Sequence, residues 1–143
     1  MPGGTRIQDL IPHQGAMCLL DELVSWSPTG IVCRARSHLS ADNPLRGPIG
    51  RLGAVCGIEY GLQAAALHGA LTAGSKKQKP GYFASLRDME LAVDRLDDPA
   101  FGVLEVEAVL ELRDTTGLIY GILLRAENGR PLLSGRATIA LPE

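Results

Sequence analysis

Aromatic side chains are scarce in this 143-residue chain: they make up 4% of it, with a single tryptophan. That scarcity argues against recognition of nucleic-acid bases by stacking, which needs aromatic platforms. Neither charge is in excess. Fourteen Lys and Arg stand against sixteen Asp and Glu, a net charge of −2, so there is no strong basic field for a polyanion. The one basic cluster, Lys76, Lys77 and Lys79, reads either as the solvated C-terminus of a helix, where cations suit the dipole, or as a docking patch for an acidic partner. Cysteine is limited to Cys18, Cys33 and Cys56, with no C-x-x-C spacing. Three reduced, buried thiols in a cytoplasmic protein are the simplest expectation. No metal-ligand spacing, phosphate loop or nucleotide fingerprint is found, so no metal or cofactor is expected. The opening "MPGGTRIQDL" has no apolar core of a signal peptide. The most apolar segment, "GIEYGLQAAALHGAL", is interrupted by Glu59, Gln63 and His68, so membrane insertion is not expected.

What is present is ordinary globular composition, 45% hydrophobic and 21% charged, at a length that suits one domain over residues 1–143. "MCLLDELVSW" reads as a strand, "SPTG" as a turn, and "IVCRARSH" as a half-buried strand with Ile31, Cys33 and Ala35 on one face and Arg34 and Arg36 on the other. The proline- and glycine-rich "LSADNPLRGPIGRLG" reads as a loop. A helix is predicted over about 54 to 73, carrying Val55, Ile58, Leu62, Ala65 and Ala66 at helical spacing and ended by Gly74 and Pro80. Gly57 and Gly61 sit four apart and invite a close neighbour. Beyond it every signal is strand. "GYFASLRDMELAV" leads to "VLEVEAVLELR", with Leu104, Val106, Ala108, Leu110 and Leu112 on one face. "LIYGILLRA" and "PLLSGRATIAL" follow, and Asn128-Gly129 signals a type I′ hairpin. Two strands, one long apolar helix and three or four further strands predict an α+β hotdog fold, an antiparallel sheet of five or six strands wrapped around the helix.

Several motifs carry a family resemblance. "IPHQGAMCLLDELV", "DNPLRG", "GIEYGLQAA" and "YFASL" resemble, over nearly the whole chain, the 3-hydroxyacyl-acyl-carrier-protein dehydratases of the FabA/FabZ type. The chain looks most similar to the dehydratase-like hotdog branch of aryl polyene pathways. The resemblance implies a thioester dehydratase of fatty acid or aryl polyene biosynthesis, acting on an acyl carrier protein substrate. It implies a dimer as well: a homodimer, or a heterodimer with a paralogous hotdog dehydratase. It places Glu59 at the catalytic acid, Gln63 at its partner, and Asn43 in the loop that borders the substrate. One departure matters. The family's loop histidine, its catalytic base, has no counterpart in the shorter "LRGPIGRLGAV".

Dehydration needs a base for the C2 proton, an acid for the leaving hydroxyl and donors for the thioester carbonyl. Glu59, flanked by Ile58, Leu62 and Ala66, suits the acid, because desolvation favours a protonated carboxyl. The alternative is a carboxylate hydrogen-bonded inside a dimer interface. Gln63, one turn on, is placed to orient Glu59. Gly53 and Ala54, at the helix start, offer backbone N–H groups to an oxyanion or simply cap the helix. Of three histidines, His13 lies in the N-terminal motif and His68 faces about 180° away from Glu59 on the helix. His38 is left as the candidate base, although it shares strand parity with Arg34 and Arg36. Two other readings stay open: an acyl thioesterase, and a catalytically impaired subunit that pairs with an active dehydratase.

Overall fold

The computed structural model describes residues 7–11, 15–74 and 82–140. Pro12, His13, Lys76, Lys77, Lys79 and Pro80 lie outside the described residues. Strands β1 (Glu22–Ser27) and β2 (Gly30–Ala35) precede helix α1 (Gly57–Thr72). After the helix come β3 (Tyr82–Leu91), β4 (Leu104–Arg113), β5 (Gly117–Arg125) and β6 (Pro131–Ala140). The six strands form one antiparallel sheet in the order β1-β2-β4-β5-β6-β3, with α1 laid across β2, β4 and β5. This is the hotdog architecture expected from the sequence. No helix among the described residues is long and apolar enough to cross a membrane.

The sheet's inner face follows from period-two patterning. Ile31, Cys33 and Ala35 of β2, Leu104, Val106 and Ala108 of β4, and Tyr120, Ile122 and Leu124 of β5 are all buried, each set alternating with more exposed residues. Burial of α1 covers Gly57, Tyr60, Gly61, Gln63, Ala64, Ala65, Leu67, His68, Ala70 and Leu71. Gly57 and Gly61 are what let α1 sit so low. A methyl at Gly61 would stand 2.9 Å from Ile122 Cβ, and one at Gly57 would stand 3.0 Å from a Leu124 methyl.

Four local expectations are corrected. The first strand starts at Glu22, not at Met17, because Leu19 and Leu20 are buried in succession, which strand alternation forbids. The second strand stops at Ala35. The Asp21 carboxylate accepts the Arg36 N–H at 2.5 Å, and a 3-10 turn, Ser37–Leu39, follows. In β4 the inward set ends at Leu110, which is partly buried against the core. A register shift between Leu110 and Leu112 leaves Leu112 51% exposed. The Asn128-Gly129 hairpin is not type I′. Gly129 has φ +91°, Asn128 is not left-handed, Gly129 N–H bonds the Ala126 carbonyl, and Ala126 N–H bonds the Arg130 carbonyl. That is a type I turn closed by a glycine bulge. The three cysteines are free, and burial pushes the Cys33 thiol up to about 12.

These contacts give opposite expectations for two helical glycines. Gly61→Ala forces a methyl into Ile122 and should cost about 1–3 kcal/mol. Gly69→Ala meets nothing within 4 Å and should gain up to about 1 kcal/mol from helix propensity. Urea unfolding of both variants checks this, and equal effects would refute the packing account.

Candidate functional site

Glu59 stands in the first turn of α1 on the helix face turned away from the sheet. Val55, 58% exposed, and the half-buried Ile58, Leu62, Ala66 and Gly69 share that face. Glu59 itself is half-buried, with no hydrogen bond or ion pair among the described residues. The nearest titratable neighbour it affects is Cys56, one turn earlier. The Cys56 thiol reaches the Leu45 carbonyl at 3.7 Å and is pushed up by burial, which suits packing and not nucleophilic attack.

Gln63 does not turn to Glu59. Its Oε1 accepts the Leu19 N–H at 2.8 Å, and its Nε2 donates to the Met17 carbonyl at 2.6 Å. Fully buried, it ties the N-terminal segment to α1. The other side of Leu19 is tied as well. Ser37 Oγ donates to the Leu19 carbonyl at 2.7 Å and lies 2.8 Å from Tyr60 Oη. Asn43 Nδ2 donates to Tyr60 Oη at 3.0 Å. A carbonyl only accepts, so the serine proton is committed and the direction of the chain is set: Asn43 to Tyr60, Tyr60 to Ser37, Ser37 to Leu19. Asn43 also donates to the Ser37 carbonyl and accepts the Leu45 N–H at 2.9 Å. It therefore holds the loop to the helix.

At the helix start, the oxyanion expectation is corrected for Ala54. Its N–H donates to the Asp94 carbonyl at 3.0 Å, so it is not free for a thioester. Gly53 is the extended residue before the 3-10 turn Ala54–Cys56. A methyl there would have only a Val55 methyl at 4.0 Å, so its side stays open to a ligand.

His38 is carried inward by the 3-10 turn and is fully buried, against its strand parity. Its Nε2 lies 2.8 Å from the Gly102 carbonyl. Nε2 must therefore carry the proton, and Nδ1 is the bare nitrogen, buried and without a partner among the described residues. Burial lowers its pKa below the ordinary histidine value. The charges that act on it are Asp21, Arg46 and Asp97, not Glu59. His68 is likewise neutral: Nε2 donates to the Ser27 carbonyl at 2.8 Å and Nδ1 accepts from Tyr120 at 2.7 Å, with burial again lowering its pKa. The structure thus brings no described histidine to Glu59 within one chain.

Sequence reasoning missed Tyr60, Ser37 and the Arg46–Asp97 pair. Arg46 donates to the carbonyls of Ser40, His38 and Gly50 and to Asp97 at 3.2 Å. Asp97 is also held by Arg95, whose hydrogen bond keeps that carboxyl far below the usual carboxylate range. Only Tyr60, adjacent to Glu59, had a local signal. The other contacts join residues far apart in the chain. Two shallow clefts, of about 350 and about 440 Å³, lie on the outer face of the sheet; neither is lined by Glu59.

A family model described as ApeP-like, ApeP dehydratase, matches residues 5–143. Among solved structures, the dehydratase heterocomplex ApeI:P from Xenorhabdus doucetiae superposes with a TM-score of 0.82 at 20% identity, over 97% of this chain and 92% of that one. AziG of S. sahachiroi gives 0.62 at 16%, over 87% and 91%. The thioesterase SAV0944 of Staphylococcus aureus gives 0.64 at 16%, over 85% and 93%. At these identities the likeness is one of fold. No curated protein matches the chain.

The directed chain through Tyr60 predicts that Tyr60→Phe costs about 1–3 kcal/mol, because buried groups of Asn43 and Ser37 lose a partner. A urea unfolding midpoint unchanged from wild type would show that the chain contributes nothing.

Proposed function

The chain belongs to the ApeP-like dehydratase family, and on that premise we propose that it supplies the acid half of a 3-hydroxyacyl-thioester dehydratase whose base comes from a second hotdog chain. The observation behind this reading is Glu59, unpaired on the open helix face, while both described histidines are engaged elsewhere. A fatty acid or aryl polyene intermediate on an acyl carrier protein is the substrate, and the cytoplasm is the compartment.

In the assembled site the partner's base removes the C2 proton of the 3-hydroxyacyl thioester. Glu59, protonated, delivers its proton to the 3-hydroxyl. The C3–O bond breaks, water leaves and the C2=C3 double bond forms. Glu59 is left as a carboxylate, and proton exchange with solvent resets both groups. Gly53, with its open side, borders the thioester. A partner seated on Val55, Ile58 and Leu62 would exclude water from Glu59. The ApeI:P structure is described as a dehydratase heterocomplex, which supports pairing with a paralogue. Made alone, the chain is expected to pair with itself. The thioesterase alternative rests on fold likeness alone, and following free thiol in the same assay tests it.

The test is turnover of a 3-hydroxyacyl carrier-protein substrate by the isolated chain, by a hotdog partner that carries the loop histidine, and by their complex. Glu59→Gln in the complex should lower kcat at least about 100-fold without dissociating it. Near-wild-type turnover by that variant complex would remove Glu59 from the mechanism. Equal turnover by the isolated chain and the complex would remove the partner.

A further inference from the structure

We infer that His38 is a pH-sensitive positioning residue: held neutral in a socket at the base of the 40–53 loop, it keeps that loop docked on the start of α1, and its protonation releases the loop.

The socket has walls from three elements. From the segment before β1 comes Asp21, whose carboxylate accepts the Arg36 N–H. From the loop itself comes Arg46, which donates to the backbone carbonyl of His38 at 3.0 Å. From the β3–β4 connection comes Asp97, bound by Arg46 and by Arg95. From the same connection, just after the 3-10 turn Pro99–Phe101, comes Gly102, at φ +63°, whose carbonyl takes the imidazole Nε2–H. Glu127, beside Gly102, is occupied by the Val103 N–H. Every nearby carboxylate therefore has a donor already. Among the described residues, His38 Nδ1 is the single buried side-chain nitrogen or oxygen with no partner.

A second proton on this ring would sit on Nδ1. It would be a buried N–H with no acceptor and a positive charge close to Arg46. The low-cost relief is for the 3-10 turn Ser37–Leu39 to swing out. That turn carries Ser37, one end of the chain to Tyr60, and its carbonyls help hold Asn43 and Arg46. Releasing it frees the loop from the helix turn that bears Glu59. Burial lowers the pKa of His38, so the sign is fixed. The loop is docked above the ordinary histidine pKa of about 6.5, and docking is lost as pH falls through the lower folded value.

Hydrogen exchange read by NMR tests this on the chain as purified, with rates corrected for intrinsic pH dependence. Between about pH 8 and about pH 5.5, only histidines among the ordinary side chains change charge fully. The amides of Leu39, Ser40, Asn43 and Arg46 should lose protection over that range, by up to about tenfold for a single histidine of undocked pKa about 6.5, while those of β5 and β6 keep theirs. His38→Gln, whose amide can still donate to Gly102, should keep protection at both pH values. His38→Ala should lack it at both. Constant protection in the wild type, or equal loss in His38→Gln, would overturn the inference. It would also be overturned if, at about pH 8, His38→Gln kept the loop protected and yet lowered turnover of the complex about 100-fold, since His38 would then be acting as the base. The exchange measurement stands even where no dehydratase turnover is found, so this inference and the dehydratase reading can fail separately.

Discussion

Everything about this site depends on how closely α1 lies on the sheet. At Gly57 and Gly61 the gap is too small for a methyl group. Nothing the size of an acyl chain passes between helix and sheet at that end. A substrate that reaches Glu59 must come along the opposite side of the helix, past Val55 and Leu62. That side is the one this chain leaves half-covered. Tight packing below and an open face above are therefore one fact. Two glycines at i and i+4 point their missing side chains the same way, which frees Glu59 to point the other.

A helix set so low needs its flanks fixed, and buried polar groups do it. Leu19 is clamped through its N–H by Gln63 and through its carbonyl by Ser37. Tyr60 and Asn43 extend the clamp to the loop. Each of these groups would be costly in an apolar interior if left unpaired, so the network specifies one arrangement more than it adds net stability. Arg46 does the same for the loop, with three carbonyls and one carboxylate around a single guanidinium. The glutamine that sequence reasoning paired with Glu59 and the asparagine that it placed beside the substrate thus spend their hydrogen-bonding capacity on the scaffold.

The fold was legible because its signals are local. Period-two alternation in β2 and β4, an apolar helix of sixteen residues and turn residues between strands were enough to place two strands before the helix and three or four after it. What was not legible depends on contacts across the chain. Parity put His38 in solvent. An Asp21 carboxylate fifteen residues earlier ends the strand and turns the ring inward. Gln63 looked like a partner for Glu59 because they share a helix face, yet its partners lie 44 and 46 residues away. Asn128-Gly129 marked a hairpin correctly and its type wrongly, because the turn also depends on Ala126 closing onto Arg130. His68 was read as facing away from Glu59, and its bonds to Ser27 and Tyr120 explain what a histidine does there.

The missing loop histidine then takes on a physical meaning. The loop that lacks it is not slack. It is stapled by Arg46, paired through Leu52 to Leu96 and through Ala54 to Asp94, and seated on Tyr60 by Asn43. A loop that had merely lost a catalytic group would have no reason to be so thoroughly bound. Its stiffness fixes the position of the helix start and so of Glu59, and a carboxyl held in place is what a base arriving on another chain would need in order to meet the same substrate. On the proposed division this chain would not dehydrate alone, and pairing between unlike subunits would be coupled to the chemistry.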